Sequence, residues 1–119
     1  MSSDFVQILR TGSDHWVSIS LLGCMPGMVN VYDSLYNDVI SQEIEEQAND
    51  LRGGRLISLD YVPVQQEING RDCGVFSIAF ATCLAFAVDP SHVTFDVSKM
   101  RSPLQDCLQC GKITMFPSF

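Results

Sequence analysis

A small α+β domain, a mostly antiparallel sheet packed with helices, is the fold class that two features of the sequence predict. The first is alternation of apolar and polar residues over two neighbouring segments, the mark of half-buried strands. The second is apolar spacing of the helical kind, once on an amphipathic segment and once on a segment apolar on every side.

The elements follow in order. Phe5 to Leu9 is a short apolar run closed by the turn-forming cluster Thr11-Gly12-Ser13-Asp14. From Trp16, Val17, Ile19 and Leu21 fall on one face and Ser18 and Ser20 on the other, which predicts a half-buried strand. Gly23, Pro26 and Gly27 mark a turn, and Met28 to Tyr32 alternates again, so the two strands are expected to pair as an antiparallel hairpin. Asn37 is the expected N-cap of a helix carrying Ile40, Ile44, Ala48 and Leu51 on one face, stopped by Gly53-Gly54. Leu56 to Val64 reads as a third strand, with Ile57, Leu59 and Tyr61 on one side.

A polar loop, Gln65 to Asp72, leads into the apolar run Val75 to Val88. With Ser77 and Thr82 inside it, that run is too short to span a bilayer and is expected to be a buried helix ending near Asp89-Pro90. Ser102-Pro103-Leu104-Gln105 carries a capping-box pattern with proline at the first helical position, and predicts a last helix with Leu104, Cys107 and Leu108 on its apolar face.

Composition narrows the functional classes. With 119 residues, the chain is expected to be one domain, residues 1–119. Its 46% hydrophobic and 18% charged content argues against disorder. A net charge of −7 and the lack of any Lys/Arg cluster give a phosphate backbone nothing to bind, so no nucleic-acid partner is expected. No membrane partner is expected either. The five cysteines are odd in number, and the start Met-Ser-Ser-Asp-Phe has no basic or apolar leader region. Reduced thiols in the nucleus or cytoplasm are the resulting expectation.

Three residues draw attention as a set. Cys73 stands where the polar loop meets the buried helix, and the positive end of a helix dipole favours the thiolate, the reactive form. Such a cysteine is, on its own, also a common small core residue. His15 sits at a turn-to-strand edge, and Asp33 ends the second strand of the hairpin. The hairpin would bring their neighbourhoods together, as a base and its orienting carboxylate require. Spacing alone leaves each residue open to an ordinary structural role. Cys107-Leu108-Gln109-Cys110 is a lone Cys-x-x-Cys; Cys24, Cys83 and His92 show no ligand spacing around it, so neither a metal nor a cofactor is expected.

The motifs themselves resemble a known family. His15-Trp16-Val17-Ser18 is similar to the His-Trp strand motif of the ubiquitin-like-modifier (SUMO, or sentrin-specific) cysteine proteases. Val31-Tyr32-Asp33-Ser34-Leu35 is similar to their Tyr-Asp-Ser-Leu motif. Gln65 to Phe76, with Asp72-Cys73-Gly74 at its centre, resembles their nucleophile motif. All three stand in the family's order, His, Asp, Cys, and the wording also resembles protease-related reading frames of animal mobile elements.

The resemblance implies an Ulp-type, papain-like core and a thiol protease acting at the Gly-Gly end of a SUMO-type modifier. It implies Cys73 as nucleophile, His15 as base, Asp33 as its orienting group and Trp16 as the aromatic over the Gly-Gly tail. Two departures stand beside it. The family's oxyanion-hole glutamine, six residues before the nucleophile, is here Glu67, and Gln66 is the nearest substitute. Only fourteen residues precede His15, so the domain is expected to be truncated at its N-terminus. An inactive relative that binds ubiquitin-like proteins is the alternative these departures leave open.

Overall fold

The computed structural model describes residues 6–11, 15–21, 27–36, 42–51, 58–67, 72–100, 115, 116 and 118. Among the described residues four strands and two helices follow one another: β1 (Val6–Arg10), β2 (Trp16–Ser20), β3 (Met28–Tyr32), α1 (Gln42–Leu51), β4 (Ser58–Tyr61) and α2 (Cys73–Ala85). Single 3₁₀ turns at Pro90–His92 and Val97–Lys99 come after α2.

The sheet has the order β1-β2-β3-β4. The expected hairpin forms, with Ser18 opposite Tyr32 and Ile19 opposite Val31. The run before His15 is a strand as well, antiparallel to β2 and at the edge of the sheet. β4 ends at Tyr61, before the expected Val64, and pairs parallel to β3; Leu56 and Ile57 lie outside the described residues. A parallel neighbour requires a crossover, and α1 lies in the connection between the two strands.

Both faces of the sheet are covered. Leu9, Val17, Ile19, Val29 and Val31 point to one side and pack with Ile44 and Ala48 of α1. On the other side Phe76, Ala79, Phe80 and Cys83 of α2 join Tyr32, Val64, Phe95, Met100 and Phe116 in a second cluster. β2 is therefore not half-buried as its alternation suggests: Ser18 and Ser20 are both fully buried. The small serines let α2 approach the sheet closely, and the Ser18 hydroxyl donates to Ser77 O at 2.6 Å, so its polarity is satisfied in the interior.

In α1, Ile44 and Ala48 are buried, whereas Leu51, expected on the same face, is exposed at the last turn. Asn37, Ile40, the Gly53-Gly54 stop and the helix expected from Ser102 lie outside the described residues. α2 ends at Ala85, earlier than Asp89-Pro90 suggests. Ala87 takes a left-handed conformation (φ 58°), Ala87 N–H donates to Leu84 O at 3.1 Å and Val88 N–H to Cys83 O at 2.8 Å. This is the double hydrogen-bond pattern that usually employs glycine. An alanine there costs about 1–2 kcal/mol of backbone strain, and no local residue signals the stop.

Burial of Cys83 in the second cluster pushes its thiol up to about 11. The unfolded thiol ionises near its ordinary value of 9.0, before the native one, so this contribution to stability is intact below about pH 9 and is lost as pH rises through about 11. Denaturant titrations across that window should show falling stability, with a shallower decline in Cys83→Ala. An unchanged slope would contradict this placement of Cys83. In the native chain Cys83 should also alkylate among the slowest of the cysteines.

Candidate active site

His15 enters β2 one residue before Trp16, held by Thr11 N–H donating to its carbonyl at 2.8 Å. Asp33 leaves β3 one residue after Tyr32. Extending the Ser18–Tyr32 register by one pair places Asp33 opposite Val17, diagonal to His15 on the adjacent strand. From there His15 Nε2 and Asp33 Oδ1 are 2.7 Å apart, with both side chains largely withdrawn from solvent. The same Asp33 Oδ1 accepts Leu35 N–H at 2.9 Å, which fixes the carboxylate against its own backbone. With Nε2 engaged by the carboxylate, Nδ1 of the ring is left to act on another group.

Cys73 is the first residue of α2 and is buried, with 6% of its surface exposed. Asp72 occupies the N-cap position without a side-chain capping hydrogen bond. Strand and helix are tied at two levels. A side chain on Gly74 would start 3.7 Å from Trp16 Cδ1, so the indole lies over the residue after Cys73. Ser18 bonds Ser77 one helical turn further on. Residues 16 and 18 thus run beside residues 74 and 77, so the start of β2 lies along the start of α2. Trp16 itself stays partly exposed, with the Arg10 guanidinium 5.9 Å from its ring centroid.

Behind Asp33 the segment 64–67 is stitched to the segment 33–36. Gln66 Nε2 donates to Asp33 O at 2.8 Å and to Tyr61 OH at 3.0 Å, and Gln66 Oε1 accepts Tyr36 N–H at 2.9 Å. Glu67 N–H donates to Ser34 O at 2.8 Å, and the Ser34 hydroxyl donates to Glu67 Oε2. Glu67 is buried, and its Oε1 has no hydrogen-bond partner among the described residues. The rings of Tyr36 and Tyr61 stack at 3.6 Å and 10°. Partial burial pushes the Tyr61 phenol up; the Asp33 and Tyr36 charges add to this, and its hydrogen bonds with Val64 and Gln66 act against it.

His15 and Asp33 are therefore in direct contact, Trp16 covers Gly74, and Gln66 and Glu67 both reach the Asp33 loop. Ser34, Tyr36 and Tyr61 were not singled out by sequence reasoning. Ser34 lies inside a motif that was, while the tyrosine stack joins residues with no local pattern between them.

Among the described residues, no group of three or more His, Cys, Asp or Glu is placed to hold a metal ion, and no helix is long and apolar enough to cross a membrane. Cys107 and Cys110 lie outside the described residues. A family model described as the Ulp1 protease family, C-terminal catalytic domain, matches residues 5–109. No curated protein and no solved structure matches the chain.

Proposed function

Because the chain belongs to the Ulp1 protease family, cysteine-type peptidases that act on ubiquitin-like modifiers, we propose that Cys73, His15 and Asp33 form its catalytic triad and that it cleaves after a modifier's C-terminal Gly-Gly. The observation that carries this reading is the 2.7 Å His15–Asp33 contact at the end of β2 that also lays Trp16 over Gly74.

In the proposed reaction, His15 Nδ1 takes the Cys73 thiol proton and the sulfur attacks the carbonyl of the terminal glycine. Asp33 holds the imidazole through Nε2 and stabilises the imidazolium. The tetrahedral intermediate collapses to a thioester as His15 returns the proton to the departing amine. Water, deprotonated by His15, then attacks the thioester and releases the modifier and the free thiol. Trp16 encloses a flat tail that has no side chains. A SUMO-type modifier is the proposed substrate, and a free-thiol nucleophile suits the nucleus or cytoplasm, where thiols stay reduced.

Glu67 favours a second reading. A carboxylate at the oxyanion position offers no N–H donor to the developing charge, and a chain so built would bind the modifier without turning it over. The two readings separate on a SUMO precursor or a Gly-Gly-linked conjugate. Release of the modifier by the parent chain, absent in Cys73→Ala, supports the protease. Equal binding by both chains, with no release by either, would leave the binding module.

A further inference from the structure

We propose that Gln66 is a positioning residue of the His15–Asp33 pair, acting through the Asp33 backbone; the proposal rests on the triad reading. The Asp33 carboxylate is fixed at the front by His15 and Leu35 N–H. Its carbonyl is fixed at the back by Gln66 Nε2 at 2.8 Å. The same side chain accepts Tyr36 N–H at 2.9 Å, so one amide spans the turn from residue 33 to residue 36. The stacked Tyr36 and Tyr61 rings brace that turn, and the Tyr61 hydroxyl also receives Gln66 Nε2.

The position calls for an amide, because it needs a donor and an acceptor on one planar group. Glutamate keeps the acceptor for Tyr36 but turns a second acceptor on the Asp33 carbonyl. Leucine supplies neither. The Gln66 amide has two hydrogens, and Asp33 O, Tyr61 OH and Val64 O already surround them. In this arrangement none remains for an oxyanion, which separates a positioning role from a donor role. A carboxylate whose backbone drifts would take the imidazole with it, and misplacement by about 1 Å can lower a rate about 10²-fold.

The test uses Gln66→Glu and Gln66→Leu in the full chain, with folding checked by thermal unfolding. Gln66 is exposed enough to tolerate both changes. Three readouts are followed: kcat and KM on a Gly-Gly-linked SUMO substrate, iodoacetamide alkylation of Cys73, and the low-field proton resonance of His15 Nε2–H. Alkylation matters because it forms no oxyanion, so losing an oxyanion donor would leave it unchanged.

The expected result is a kcat lowered by up to about 10²-fold with KM unchanged, slower alkylation of Cys73 and a shifted or broadened His15 resonance. Folded variants that keep the parent's alkylation rate and resonance would overturn the proposal, whether or not turnover falls. His15→Ala serves as the control. If it leaves alkylation of Cys73 at the parent rate, the triad fails and this proposal falls with it. If it slows alkylation while the Gln66 variants do not, the proposal alone fails.

Discussion

Replacing Glu67 with glutamine is expected to accelerate acylation of Cys73 by about 10²–10³-fold, the usual worth of one oxyanion donor. Glu67 is buried, one of its oxygens accepts the Ser34 hydroxyl and the other has no partner among the described residues. Glutamine fits the same space. Its oxygen can keep the Ser34 bond, while its amide nitrogen takes the place of the unpartnered oxygen. At the proposed oxyanion position an acceptor becomes a donor. Single-turnover acylation of the parent and the Glu67→Gln chain measures the effect. If Gln66 were the donor instead, Gln66→Ala would abolish acylation and Glu67→Gln would change little. Equal rates for the parent and both variants would contradict this account of the oxyanion site.

How much of this was legible in the sequence depends on how far each feature reaches along the chain. The β2–β3 hairpin was legible, because Val17, Ile19, Val29 and Val31 alternate within their own segments. The α2 start at Cys73 was marked by the polar loop before it. The burial of Ser18 and Ser20 was not legible: serines in alternation look like a wet face, and only the arrival of α2 makes them interior. The end of α2 is not legible, because Ala87 does what a glycine normally does. The parallel partnership of β4 with β3 is set by a crossover, which strand periodicity does not encode.

The site divides in the same way. The hairpin brings the neighbourhoods of His15 and Asp33 together, the motifs single the two out, and their side chains meet. The roles expected of Gln66 and Glu67 come from the resemblance, through the family's glutamine six residues before the nucleophile, and that says nothing of Asp33. Their contacts with residues 33, 34 and 36 join two loops across the parallel β3–β4 edge.

The all-or-none effect belongs to Cys73. Each step of the proposed reaction passes through its sulfur, so Cys73→Ala should lose turnover entirely and not merely slow it. Its removal takes one small buried side chain from the start of α2. Cys83 lies inside the second core cluster. The most direct measurement is covalent capture. A SUMO-type tail ending in Gly-Gly, with a thiol-reactive group in place of its terminal carboxylate, is incubated with the folded chain and the product is mapped by mass spectrometry. The account predicts one adduct, on Cys73, absent in Cys73→Ala. An adduct on any other cysteine, or none on a folded parent across tails of several ubiquitin-like modifiers, would contradict it.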